Sequence, residues 1–304
     1  MSESVPAIVH GHEKVRNYQN MNHIVKRIGI LTGVFAAALC VFFLANNRWN
    51  SGQDQAVYMD MEAASLPSIT VQMLGRDMNR LYGYRQEMNT TAAGENLTIL
   101  PEDRALTVDI TGGGVTGISY EVRSMDRARL VERTEVSDWQ QTQQGIAATL
   151  SIQNLLTKER EYQLIIQLDT ENYGSVYYYT RILWTDSAQH ARDMVDLAAD
   201  FSIKTFDYEQ AKSLTTYLET SPSEDNSTFG HTSIHSSFSQ LTWGKMNMQP
   251  EGNVEIRLKE LDGVMCGVQL SYQAKRQGDG AEETYEVEED FTLKWNELRI
   301  YMMQ

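Results

Sequence analysis

The sequence predicts a mainly β protein with a few helices, carried behind a single amino-terminal transmembrane helix. Three observations predict it. Ile28 to Ala45 is an apolar run without a charge; apolar and polar residues alternate from Leu97 to Trp184 and again after Val254; and helical periodicity occupies the stretch between. In order, the chain reads as a cytoplasmic tail (1–27), an anchor (28–45), a stalk (46–66), a β-sandwich domain (67–185), a helical connector (186–220) and an antiparallel β-meander domain (221–304).

The anchor is expected because eighteen residues rising about 1.5 Å each cover roughly 27 Å of hydrocarbon. The run lacks the short apolar core and small-residue exit of a cleaved signal peptide. Leu39 before Cys40 lacks the small residue that lipidation needs. Lys26 and Arg27 precede the run and only Arg48 follows closely, so the amino end is expected in the cytoplasm and the bulk of the chain outside it. The stalk, polar and acidic with Gly52, has no period.

Ile69, Val71 and Met73 alternate as one strand, whereas Met78, Leu81 and Tyr82 in Arg76–Asn89 have helix-like spacing broken by Gly75 and Gly83. Further alternating sets are Leu106/Val108/Ile110, Ile118/Tyr120/Val122, Ile146/Ala148/Leu150/Ile152, Tyr162/Leu164/Ile166/Leu168 and Val176/Tyr178/Ile182. Period two buries one face of each strand, and many such strands imply a sandwich or barrel.

Leu155-Leu156-Thr157-Lys158-Glu159-Arg160-Glu161-Tyr162, running into Leu164 and Ile166, resembles the tyrosine corner of fibronectin type III and related immunoglobulin-like domains. The resemblance covers about residues 97–185. It implies an immunoglobulin-like β-sandwich of about seven strands, with the Tyr162 hydroxyl bonded back across the corner. The chain departs from the pattern in having no tryptophan near Leu106–Ile110 and an unusually aromatic final strand around Tyr177-Tyr178-Tyr179. Such sandwiches host many functions, so the resemblance implies no activity.

After Trp184, Asp186 with Gln189 and Asp207 with Gln210 read as capping-box variants. Ala191, Met194, Val195, Ala198 and Phe201 follow the first, and Ala211, Leu214, Tyr217 and Leu218 the second, so two short helices are expected. Pro222–Ser237 reads as a loop. Val254, Ile256 and Leu258, a turn at Asp262-Gly263, the set Val264 to Tyr272, a turn at Gly278-Asp279-Gly280 and the set Tyr285 to Trp295 then describe a meander. Leu298–Met303 still reads as strand, which leaves open a continuation past Gln304.

The net charge of the 304 residues is −15, unevenly spread. Through Ala45, four basic side chains face two acidic ones, for +2; the other 22 basic and 39 acidic side chains give −17. That balance argues against nucleic acid as a partner and for an exterior part that stands off anionic lipid. With Cys40 inside the apolar run, Cys266 has no disulfide partner outside it, so the exterior part depends on its apolar core.

Gly112-x-Gly114-x-x-Gly117 spells a dinucleotide fingerprint, but strand residues rather than a helix follow it, so it reads as a turn. His231 and His235, four apart with Glu224 and Asp225 upstream, sit in a Ser/Thr-rich stretch that does not support the third and fourth ligands a metal needs, and Glu282–Asp290 lacks calcium-loop spacing, so no metal and no cofactor are expected. Glu289 falls on the apolar face between Val287 and Phe291. A bulge turning it outward is expected; buried, it becomes a candidate for chemistry. Tyr177, Tyr179 and Trp139 are the candidate ligand-binding aromatics, with cover by another strand or by the helices as the bland reading, and no catalytic residue is assigned. The expected role is that of a membrane-anchored extracytoplasmic binding or scaffold protein of the cell envelope, meeting a protein or glycan. A cell-wall polymer enzyme and a tethered sensor remain as alternatives.

Overall fold

The computed structural model describes residues 25–44, 66–88, 94–154, 156–218, 230–244, 246–277 and 282–303. Most of the expected tail and stalk, and the Gly278–Gly280 turn, lie outside the described residues. Met1–Ala64 and Ser65–Gln304 form two compact units.

The first unit holds α1, Val25–Leu44, whose 20 residues make it long and apolar enough to cross a membrane. At about 1.5 Å per residue it spans roughly 30 Å. It starts three residues before the apolar run, taking Lys26 and Arg27 into its first turn, and its apolar side chains are exposed along its length.

The second unit is mainly β. Strands β1 (Ser68–Met73), β2 (Arg76–Leu81), β4 (Ala105–Thr111), β7 (Trp139–Gln141) and β8 (Ile146–Ser151) form a sheet in the order β2-β1-β4-β8-β7. A second sheet runs β3-β10-β9-β5-β6, from β3 (Leu97–Ile99), β5 (Val115–Ser124), β6 (Leu130–Glu135), β9 (Glu161–Thr170) and β10 (Gly174–Leu183). Their inner faces share one core, with Val71, Val108 and Leu150 from the first sheet and Tyr120, Leu164 and Tyr178 from the second. The period-two sets are buried as expected because each of their strands turns that side into this core; the other side is mostly open to solvent, except on β9 and β10, where Ile165 and Tyr179 are buried too.

Arg76–Leu81 forms strand, not helix. Leu74 and Gly75 have φ of 53° and 79° in the two-residue turn between Met73 and Arg76, which is the geometry that reverses a chain into a hairpin. The Met78 and Leu81 spacing that mimicked a helix arises from an irregularity in the β1–β2 register, at Asn79 with φ 50°, which leaves Met78, Asn79 and Leu81 all buried. The strands β6 and β7 and the three-residue β3, parallel to β10, were also unforeseen.

Glu132 on the edge strand β6 ties the two sheets together. It accepts bonds from the Tyr120 hydroxyl (2.7 Å), the Thr134 hydroxyl (3.1 Å) and the amides of Gln153 (3.0 Å) and Asn154 (2.7 Å). Burial pushes its carboxyl up, but these donors outweigh burial and hold it below the usual range. At the corner before β9, the Tyr162 hydroxyl accepts the Thr157 amide at 3.1 Å.

Helix α2 (Ala188–Lys204) buries Ala191, Met194, Val195, Ala198 and Phe201, the predicted stripe. Its cap position is Ser187, without a side-chain cap bond, rather than Asp186. Asp186 instead pairs with Lys158, and Gln189 bonds Asp193 along the helix. Helix α3 (Tyr208–Ala211) is capped by Asp207, whose side chain accepts the Glu209 and Gln210 amides, and a 3-10 turn Lys212–Thr216 follows. The brief α4 (Phe238–Leu241) carries a full capping box from Ser237 and Gln240.

The chain ends in the antiparallel meander β11 (Met248–Asp262), β12 (Met265–Gln277), β13 (Glu282–Trp295) and β14 (Ile300–Met302). Its first turn is Gly263-Val264, with Gly263 at φ 53°. The meander shares the sandwich's apolar core: Phe201 of α2 meets Phe291 of β13 edge-on, and Leu258 and Leu270 belong to the same cluster. Asn79 joins the two layers. Its Nδ2 donates to the Leu97 carbonyl at 2.8 Å, and its Oδ1 accepts the Leu258 amide at 2.9 Å.

Candidate functional site

Tyr177 and Tyr179 stand side by side on the outer face of β10, opposite in direction to the core pair Val176 and Tyr178. Their cover is neither a strand of the sheets nor the helices, as the bland reading had it, but the segment after β2. Gly83 lies so close to Val176 that a Cβ would come within 2.6 Å, so only glycine lets the chain pass there. Tyr84 then pairs with Tyr177 through two backbone bonds, 2.9 and 2.8 Å. Its ring meets that of Tyr179 edge-on at 5.9 Å.

Tyr179 is 5% exposed, and its hydroxyl accepts the Met88 amide at 2.7 Å. Arg127 lies over its ring and pairs with Glu87. Burial, the largest influence, pushes the Tyr179 hydroxyl up. Tyr177 stays half-buried and Tyr84 exposed, so the accessible rim of this surface is made by those two rings. Trp139 is not with them: β7 belongs to the other sheet, where Trp139 packs part-buried on the main core.

Glu289 lies in a regular ladder, opposite Leu270, and the register between β12 and β13 has no shift. The expected outward bulge is therefore absent, and the period of two carries the side chain inward. Tyr272 of β12 donates its hydroxyl to Glu289 Oε1 at 2.9 Å, and the Ser202 hydroxyl of α2 lies near the carboxyl. Oε2 is sealed from solvent and has no hydrogen-bond partner among the described residues. Burial pushes the Glu289 carboxyl above its usual range, against these two hydroxyls, which lower it. Phe206 packs edge-on to Tyr272 at 5.8 Å and stacks on Trp243 at 5.3 Å, closing the site with aromatic surface. Such a carboxyl can hold a proton in the folded protein. Its hydrogen-bond partner among the described residues is the Tyr272 hydroxyl, not a second carboxylate.

The Gly112–Gly114 segment is the turn from β4 to β5, followed by strand. With Thr142, Gln144 and Gly145 it borders an open cleft of mixed polar and apolar lining. His231 is exposed and His235 half-buried, and among the described residues no three His, Cys, Asp or Glu side chains gather as a metal site would require. Cys266 is 1% exposed, and burial pushes its thiol up to about 12. Its thiolate, the reactive form, is therefore scarce at neutral pH.

No family model and no curated relative matches the chain. Among solved structures, the crystal structure of CopC from Methylosinus trichosporium OB3b is similar over 35% of this chain and 95% of that one, at 12% identity and a TM-score of 0.24. A likeness that loose has no bearing on ligand or activity.

Proposed function

We propose that this is a membrane-anchored, extracytoplasmic binding or scaffold protein of the cell envelope. The observation that carries the reading is α1, 20 residues long, whose apolar side chains are left uncovered. Bare apolar surface on that scale is stable in hydrocarbon rather than in water. Lys26 and Arg27 at its amino end favour the amino terminus on the cytoplasmic side. The folded unit that follows is then outside.

We infer further that the sandwich is immunoglobulin-like. The order β1-β4-β8-β7 against β10-β9-β5-β6, together with the Tyr162 bond at the corner before β9, supports that reading. Tyr177, with Tyr84, forms the binding rim, and Tyr179 is its buried support. Flat rings held by backbone pairing suit stacking on a glycan face. Trp139 would serve a separate contact on the opposite sheet.

Protease added to intact cells should remove the folded unit and leave α1 in the membrane pellet; protection of that unit, or release of the chain by alkaline carbonate, sinks the topology. With the full chain in detergent micelles, Tyr177→Ala should weaken binding to cell-wall glycan at least fivefold without lowering the unfolding midpoint. Unchanged binding removes the rim.

A further inference from the structure

Glu289 is half-buried as a residue, yet its carboxyl faces the junction between the meander and the last turn of α2. One oxygen takes the Tyr272 hydroxyl and the other has no donor and no water-accessible surface. An anion is poorly placed there, because half of its charge has nothing to solvate it; a neutral acid loses far less. We propose that Glu289 is a proton-dependent latch: α2 and the β12–β13 pair close over the carboxyl when it carries a proton and part when it ionises.

Among the described residues, the groups facing Glu289 are few. Tyr272 comes from β12, itself held protonated by burial and by the neighbouring carboxyl, and Ser202 comes from α2. On its own strand, Val287 and Phe291 share its face and are apolar. The nearby α2 charges Asp200 and Lys204 pair with each other at 2.5 Å, and no neighbouring charge contributes to the shift of Glu289. The element that gives way is the end of α2, where the Thr205 amide bonds the Phe201 carbonyl at 3.1 Å and the Asp207 amide bonds the Lys204 carbonyl at 3.0 Å. A strand bonded along its length to β12 is harder to move than one helical turn.

The sign is set by burial. The carboxyl binds its proton more tightly in the closed state than in an open or unfolded one, so closure is complete at low pH and is lost as pH rises through the folded value. One proton is linked to opening, so the open population grows up to tenfold per pH unit above that value.

The test is hydrogen exchange on the full chain in detergent micelles from pH 5 to pH 8, corrected for the intrinsic rate. Protection at Thr205 and Asp207 should fall tenfold or more in the wild type and stay level in Glu289→Gln, while Leu164 and Tyr178 are unaffected in both. The infrared band of a protonated carboxyl should be present at pH 5 and absent from Glu289→Gln. Ser202→Ala, which removes a hydroxyl that favours ionisation, should move the loss of protection to higher pH and serves as the comparison if Glu289→Gln does not fold. Wild-type protection independent of pH, a parallel loss in Glu289→Gln, an unmoved onset in Ser202→Ala, or an equal loss at Leu164 and Tyr178 overturns the latch.

Discussion

Replacing Asn79 tests whether the sandwich and the meander are one cooperative body. The side chain is fully buried, sits at φ 50°, and holds the Leu97 carbonyl at 2.8 Å and the Leu258 amide at 2.9 Å. Asn79→Ala deletes both bonds and leaves two buried backbone groups unpaired, at about 1–3 kcal/mol each. It also puts alanine in a left-handed conformation that asparagine tolerates better, adding about 1 kcal/mol. The total is roughly 3–7 kcal/mol, and at about 2–4 °C per kcal/mol for a unit of this size the midpoint should fall by roughly 6–28 °C. Near-ultraviolet circular dichroism of the full chain in micelles measures it. Asn79→Asp keeps the shape and the bond from Leu258 but turns an oxygen toward the Leu97 carbonyl. It should be as unstable as Asn79→Ala at pH 7 and recover part of the loss at pH 4, where a protonated carboxyl donates to Leu97. A drop below about 3 °C for Asn79→Ala, or no acid recovery for Asn79→Asp, refutes the assignment of Asn79 as the joint.

Two further outcomes can be measured the same way. Tyr162→Phe leaves the Thr157 amide without its acceptor and should cost about 1–3 kcal/mol, with binding at the Tyr177 rim unchanged; a neutral result would show that the corner bond contributes nothing. Glu132→Gln places an amide nitrogen among donors and should cost roughly 2–3 kcal/mol at pH 7. Because the folded carboxyl is held below the ordinary value of 4.5, the stability it confers is present above that pH and drains away as pH falls through the folded value. The gap between wild type and variant should therefore narrow below about pH 4.5, and a gap that is constant down to pH 3 contradicts the ionised bridge.

Much of this fold was legible because so many strands have one wet and one dry face. Leu106, Val108 and Ile110 or Tyr162, Leu164 and Ile166 announce themselves by period alone. Arg76–Leu81 did not, because buried Asn79 breaks the alternation and its reason for being inside is a carbonyl and an amide far along the chain. The parallel partner of β10 was invisible, since three residues carry no period. At α2 the stripe was plain, but the choice between Asp186 and Ser187 as cap was decided by Lys158, 28 residues earlier, which draws Asp186 away. The candidate sites were less readable still. Trp139 reads as part of a polar loop near Tyr177 in sequence, yet it lies in β7, and the chain changes sheets between β6 and β7 and separates the two. The inward direction of Glu289 was written in the period of β13, but its tolerance there depends on hydroxyls from Tyr272 and Ser202 that no local pattern reveals.

The position of β1 has a mechanical consequence. A pull on the chain from its amino-terminal side reaches the folded unit at Pro67, whose carbonyl is held by the Tyr178 hydroxyl at 2.5 Å, and then at β1, bonded to β2 on one side and β4 on the other. Traction there runs along the strand, so the rungs of two ladders share the load and must shear together. At the other end, β14 is three residues long and would peel rung by rung. The folded unit with this layout bears tension better at its amino-terminal end than at β14.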